Sequence, residues 1–337
     1  MKKNITNFIG IDISKASFDM VLLVNGQKDI GRHQVYENSS VGVKRMLKWL
    51  VSAGIDLDDT IFCMEHTGIY SFVVAERLYH HQCLIWIEMP ARIIRSMGLQ
   101  RGKNDKVDAQ KIALYAYKNR EDFRSWVPPR KEILQIKDLL SLRERISRTM
   151  IRLTHPISEM KQVKLDKRSK YLQSFCKSTL AGLKKDICAI ETELEAVIGS
   201  DQRLSEIFSL LTSIPGIGKV TAWHFIVITN EFTLFESAKQ LACNVGVVPF
   251  DYQSGTSIIG KSRVSRIAHI EVKRLLHLAA ISLIKKDNEF KRYYDRKVEE
   301  GKNKMLVLNA IRNKLVHRMV AVVKRGTPYE TEYQYAA

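Results

Sequence analysis

Four acidic residues stand where a carboxylate is costly or where spacing pairs it with another. Asp12 interrupts the apolar run FIGIDI at 8–13, and Glu65 closes the run IFCM at 61–64. Asp105 and Asp108 lie three apart in KNDKVDAQKIA, with Lys103, Lys106 and Lys111 around them. A carboxylate within an apolar strand costs free energy unless it is paired or binds a cation. On a helix, i and i+3 share a face. Together the four could converge on one or two Mg²⁺ ions, since hard oxygen donors with open water positions suit Mg²⁺ bound to phosphate. Two such ions ~4 Å apart clamp the attacking and leaving oxygens of a phosphodiester. Each acid also has a plainer reading. Asp12 can cap a turn, Glu65 can pair with Arg77 or a lysine, and Asp105 can N-cap a helix holding Asp108 in its first turn.

Positioning these groups requires strands and helices in alternation. Residues 7–24 read as two short strands flanking a polar break at Ser14 and Lys15. Strands are expected at 61–67 and 83–89, a helix at 71–81, and helical pattern from Ala91 to Lys118 with a break at Gly102. That order implies an α/β layer fold. An acid at a strand centre, one at a strand end and a pair on a helix is the layout of the RNase H/RuvC-like nuclease fold. FIGIDIS also resembles the first phosphate loop of actin-like ATPases. No second Gly-rich nucleotide loop and no GxxxxGK[ST] follows, so an ATPase is disfavoured.

SWVPPR at 125–130 marks a boundary, because two prolines stop regular structure. Beyond it, Ile136, Leu139, Ile146, Met150, Leu153 and Ile157 recur at helical spacing. Leu180, Leu183, Ile187, Ile190, Leu194 and Val197 form a coiled-coil seam. It serves equally an intramolecular helical hairpin or a dimer contact. LLTSIPGIGKVTAWHF at 210–225 reads as helix, tight turn, helix. Gly216 and Gly218 permit a close backbone approach, and the amides before Lys219 face it, as in a helix-hairpin-helix that grips a DNA phosphate. The alternative is a mere turn. Residues 240–262 read as a Gly- and Ser-rich loop region. The division expected is therefore 1–125, an α/β catalytic domain; 126–200, a helical coiled-coil linker; and 201–337, a mainly α domain.

Charge narrows the partner. The 337 residues hold 54 Lys plus Arg against 36 Asp plus Glu, a net +18. Residues 261–325 alone carry 18 basic and 6 acidic residues. A phosphate polymer is the simplest counterpart. Five cysteines without a CxxC pair argue against a zinc ribbon or a disulfide scaffold. No apolar run approaches the ~20 residues of a membrane helix. No membrane partner and a reducing, cytoplasmic location are the expectations.

FIGIDISKASFD, EHTGIY, KNDKVDAQKIA, IPGIGKVTA and VGVVPFDYQSGTSIIGKSRVS occur in one order. In that order they resemble the insertion-sequence 110 family of transposases, over nearly the whole chain. The resemblance implies a RuvC-like domain with a DEDD metal site at Asp12, Glu65, Asp105 and Asp108. It implies a coiled coil, then a transposase domain whose nucleophilic serine is Ser254, in YQSGT. The implied reaction is site-specific DNA recombination through a transient 5′-phosphoserine link, with Mg²⁺ as cofactor. Donor and target DNA, a structured bridge RNA that selects them by pairing, and a homo-oligomer are the implied partners. Lys261, Arg263 and Arg266 follow the serine and could bind the attacked phosphate. The family's KxGNxxLR stretch departs here to SRIAHIEVKRLL, with Ala268 and His269 in place of the usual residues and Arg274 for the arginine role. Ser257 and Ser262 remain alternative nucleophiles. A metal-only nuclease, with Ser254 structural, and a non-catalytic nucleic-acid-binding protein are the rival readings.

Overall fold

The computed structural model describes residues 5–24, 32–97, 104–254, 258–265 and 268–330; at 97 and along 251–254, 258–259 and 261–262 it describes the backbone. The chain divides into two compact units, Met1–Pro128 and Pro129–Ala337.

The first unit opens with strands β1 (Asn7–Ile13), β2 (Ser17–Val24) and β3 (Arg32–Glu37), then helix α1 (Ser40–Ser52). Strand β4 (Thr60–Glu65), helix α2 (Ile69–His80), strand β5 (Leu84–Glu88), helix α3 (Pro90–Met97) and helix α4 (Asp105–Lys118) complete it. The five strands form one mixed sheet in the order β3-β2-β1-β4-β5. β1, β2 and β3 are antiparallel neighbours, whereas β4 and β5 run parallel to β1.

Both faces of this sheet are covered, which is why β1 and β2 read as near-continuous apolar runs. Ile9, Ile11, Phe18, Met20 and Phe62 pack on one side with Met46 and Leu50 of α1 and Val74 and Leu78 of α2. Phe8, Leu23, Ile61, Cys63 and Trp86 pack on the other with Ile112, Ala113 and Ala116 of α4. The centre of that second layer is Gly10. A Cβ there would sit 2.1 Å from the Ala109 carbonyl oxygen and 2.2 Å from the Ala113 nitrogen. Both are backbone atoms, so neither can rotate away. The α4 backbone thus rests directly on β1.

Two elements had no expectation from the sequence. β3 is a mostly exposed edge strand without clean alternation. α1 did carry a signal: Ser39 accepts from the Gly42 N–H at 3.1 Å as N-cap, ahead of Val43, Met46, Leu47 and Leu50 at helical spacing.

The second unit is mainly helical. Helices α5 (Lys131–Gln162) and α6 (Asp166–Ser200) form a long antiparallel pair, followed by α7 (Gln202–Thr212), α8 (Lys219–Thr229) and α9 (Ala238–Val245). Strands β6 (Pro249–Ser254) and β7 (Ile258–Val264) make a hairpin, and α10 (Ile270–Leu283), α11 (Glu289–Glu299) and α12 (Lys304–Arg325) close the unit. The seam on α6 packs within the chain against α5, and from Ile190 onward it is buried. Ile136, Ile190 and Leu194 share one core with Leu211, Trp223, Leu276 and Leu315. The base of the helical pair is therefore continuous with the core of the helices that follow.

Arg130 pins this base. Its guanidinium reaches Asp201 and Glu231, each at 2.8 Å, joining the start of α5 to the α6–α7 junction and the segment after α8. Both partners raise its proton affinity above the ordinary arginine value, the Asp201 hydrogen bond most.

The loop reading of 240–262 is corrected. Ser237 caps α9 by accepting from the Gln240 N–H at 3.2 Å. Leu241, Ala242 and Val245 bury one helix face, and Gly246, at φ 75°, ends the helix left-handed. The glycine marks a helix end, not a loop. Residues 249–254 and 258–264 are then paired antiparallel strands with an irregular register between Phe250 and Tyr252. Among the described residues, no helix is long and apolar enough to cross a membrane.

Gly10→Ala should destabilise the first unit by about 3 kcal/mol, as overpacking against fixed backbone does. Urea denaturation reads this as a lower midpoint. An unchanged midpoint would mean that α4 is not seated on β1.

Candidate active site

Strand register sets the first acidic pair. Asp12 of β1 lies directly opposite Asp19 of β2, and directly opposed residues of an antiparallel pair project to one face. It is the face that carries Phe8 and Leu23, the one α4 covers. Glu65 falls two residues beyond Cys63 on β4, so alternation puts it on that face as well. Asn104, not Asp105, caps α4: its Oδ1 accepts from the Lys106 N–H at 3.0 Å. Asp105 and Asp108 then occupy the first turn, where the helix dipole favours negative charge. The contact of Gly10 with Ala109 fixes where that turn meets Asp12, two residues along β1.

Asp12, Asp19, Glu65, Asp105 and Asp108 line one cavity of about 530 Å³, together with Lys111. The four acids singled out in the sequence therefore come together, drawn from β1, β4 and α4. Asp19 is a fifth that sequence reasoning missed. Its signal was available in the alternation of SFDMVLLV, which sets residue 19 on the face opposite Phe18 and Met20. His33 of β3 holds it, Nε2 to Oδ1 at 2.6 Å.

Crowding shows in Asp12. Its pKa is pushed up to about 6, first by burial and then by the charges of Asp108, Asp105 and Asp19, against a lowering backbone hydrogen bond at Ile13. Lys111 offsets part of the negative charge, donating to Asp108 at 2.6 Å. Five carboxylates outnumber the lysine, and such a set chemically fits a divalent cation. Among the described residues, no three His, Cys, Asp or Glu side chains already stand as a formed ligand set. Lys111 engages only Oδ1 of Asp108, which leaves Oδ2 for a cation.

Glu88, also unread in the sequence, steadies the surroundings from β5. It is buried, accepts from the Tyr115 hydroxyl at 2.9 Å and the Met89 N–H at 2.8 Å, and pairs with Arg92 at 3.2 Å. It thereby ties α3 and α4 to the sheet. Burial first, and then Glu88, push the Tyr115 phenol well above its usual range.

The candidate nucleic-acid contacts fall differently. Lys106 is exposed in the first turn of α4, whereas Lys103 lies outside the described residues. Gly216 has φ 85°, and a Cβ there would meet Leu283 Cγ at 2.8 Å, so its close approach is to α10 of the same unit. Gly218 begins α8 with open space beside it. Lys219 pairs with Glu195 at 2.6 Å. Arg263 is exposed on β7. Ser254 ends β6 opposite Ile258, with its side chain outside the described residues, as are those of Lys261 and Ser262. Ser257 and Arg266 lie outside them entirely. Trp223 is buried in the core and stacks on Phe208.

An acid-lined cavity on a mixed sheet, joined in one chain to a basic helical unit, marks an enzyme that works on nucleic acid. The comparisons with known proteins specify which. A family model described as a transposase, DEDD_Tnp_IS110, matches residues 9–162. A second, described as the transposase IS116/IS110/IS902 family, matches residues 208–295. A pilin gene-inverting protein of Moraxella lacunata is 27% identical over 327 residues, covering 96% of this chain and 97% of that protein. An uncharacterized 43.6 kDa protein of insertion element IS110 in Streptomyces coelicolor is 29% identical over 154 residues, 46% of this chain and 37% of its own. The chain belongs to the IS110 family of transposases and is a DNA transposase/recombinase.

The raised Asp12 pKa has a stability consequence. The folded protein holds that proton more tightly than the unfolded chain, so ionising Asp12 costs folding free energy. Its share of stability is intact below pH ~4 and is lost as pH rises through about 6. In EDTA, Asp12→Asn should therefore gain melting temperature relative to wild type between pH 4 and 7. A difference independent of pH would show that Asp12 is not crowded.

Proposed function

We propose that this transposase cuts and joins DNA strands through a covalent serine–DNA intermediate, assisted by Mg²⁺ at the acid-lined cavity. One observation carries the reading: Asp12, Glu65, Asp105 and Asp108, from three separate elements, line a single cavity. The strand order β3-β2-β1-β4-β5, with β2 alone running opposite to the other four, supports an RNase H/RuvC-like assignment for the unit. Asp12, Glu65, Asp105 and Asp108 would hold the metal. Bound there, Mg²⁺ supplies charge neutralisation to phosphodiester oxygens.

The chain's own groups do the rest. Ser254 Oγ forms the bond to phosphorus as the bond from phosphorus to the 3′ oxygen breaks. The serine proton goes to a base, and the leaving strand takes up a proton as a free 3′ hydroxyl. The second step reverses this with an incoming 3′ hydroxyl and releases the serine. The resemblance of YQSGT to the family's serine motif supports Ser254 as the nucleophile.

Lys103, Lys106, Lys261, Arg263 and Arg266 would neutralise neighbouring phosphates, and the turn at Gly216, Gly218 and Lys219 would grip one. The basic C-terminal region suits RNA as well as DNA, in keeping with a bridge RNA that chooses donor and target. A homo-oligomer would bring the acids and the serine of different copies to one site. The pilin gene-inverting relative, named for inverting a gene, supports site-specific recombination rather than simple cleavage. A metal-only nuclease is the second reading, since the acid cavity alone suffices for hydrolysis.

The test combines protein, element-derived RNA and labelled donor and target DNA with Mg²⁺ on a denaturing gel. Wild type should give a protein–DNA adduct that Ser254→Ala abolishes, and Asp12→Ala should reduce strand cleavage at least 100-fold, on the order of a lost electrostatic catalytic group. Cleavage without any adduct would overturn the serine intermediate in favour of the metal-only enzyme.

A further inference from the structure

Residues of β7, α10 and α12 of the C-terminal unit line a second, open cavity of about 1150 Å³. Arg312 of α12, Lys273 of α10 and exposed Arg263 of β7 line it, and among the described residues no acid does. Arg312 is only 9% exposed, and its Nε is buried with no hydrogen-bond partner. Among the described residues no carboxylate pairs with Arg312 or Lys273; the nearby Glu271 is held by Arg274. Burial alone lowers the proton affinity of Arg312. Burial and then the charge of Arg312 lower that of Lys273, and do the same to His277, one turn further along α10. Two neighbouring cations without a counter-charge are costly inside a protein, because each loses hydration and neither gains a partner. A bound anion supplies what is missing.

The shape says which anion. The cavity is many times the volume of one phosphate, and its other walls include apolar Val247, Pro249 and Met305. Such walls suit a sugar or a base flanking the charge. Polar Asn309 and Asn313 stand on the same wall, among the apolar residues. Pro249 and Val264 pair at the base of the β6–β7 hairpin, and Ser254 ends β6 at its other end. Five residue steps along the strand separate the two, roughly 17 Å. The cavity is therefore apart from the serine but on the same hairpin.

We infer that this cavity holds a backbone phosphate of a DNA strand, gripped by Arg312 and Lys273, and so anchors the strand a fixed distance from the Ser254 end of the hairpin. The inference rests on the recombinase reading only for what Ser254 does. The grip itself needs only nucleic acid.

The experiment measures affinity of the full-length protein for a fluorescein-labelled duplex across a KCl series. Lys273 is half-buried, so Lys273→Gln should fold, and circular dichroism checks this for it and for Arg312→Gln. Each substitution should weaken binding about fivefold and reduce the slope of log K against log salt by about 0.9, the loss of one phosphate contact. A folded Lys273→Gln protein with unchanged affinity and slope overturns the inference. A parallel arm adds inorganic phosphate at constant ionic strength and follows thermal unfolding. Stabilisation of wild type by phosphate, with the duplex slope unchanged in Lys273→Gln, would assign the cavity to a free anion and overturn the strand. A reduced slope alongside a wild type that forms no covalent adduct would uphold the phosphate grip while the serine mechanism fails.

Discussion

The contact of a helix backbone with one glycine governs the N-terminal unit. α4 lies against β1 at Gly10 with no room for a methyl group. A helix that close to a strand places its first turn against the next outward position of that strand, which is Asp12. Every acid of the cavity except Asp19 and Glu65 depends on this contact, and those two depend on strand register instead. The cost is electrostatic. Like charges gather at a half-buried point, and Asp12 holds its proton to about pH 6 as a result. Such perturbed groups cluster where a protein does chemistry, because stability alone would disperse them.

The C-terminal unit shows the same logic with the sign reversed. Most of its basic residues are paired or solvated, as Lys219 is by Glu195 and Arg318 by Glu289. Buried Arg312 and half-buried Lys273 are an exception, since among the described residues no acid pairs with either. One unit thus gathers carboxylates that suit cations, and the other gathers cations that suit phosphate. An enzyme that recombines DNA needs both, since it must hold strands by their phosphates and stabilise charge at the one it attacks.

The site was legible where residue type clashed with its neighbours. Asp12 stood out in an apolar strand, Glu65 at the end of another, and Asp105 and Asp108 by helical spacing; all four line one cavity. Asp19 was not read, since an acid near a strand start looks ordinary until register sets it opposite Asp12. Lys273 and Arg312 could not be read, because basic residues on amphipathic helices normally face water, and only tertiary packing reveals that Arg312 does not. The α/β order followed from apolar runs, but β3 lacked alternation, and glycine content disguised α9 and the β6–β7 hairpin as loop. The role given to Ser254 rests on motif resemblance, because a serine in a Gly-containing turn carries no physical mark of a nucleophile.

The proposed chemistry stands or falls on whether the acid cavity takes a divalent cation. Crystals of the protein soaked in Mn²⁺, as an anomalous scatterer standing in for Mg²⁺, test it most directly. An anomalous peak is expected within coordinating distance of Asp12 and at least one of Glu65, Asp105 and Asp108. A cavity without a peak at saturating Mn²⁺ would mean that these acids hold no divalent cation.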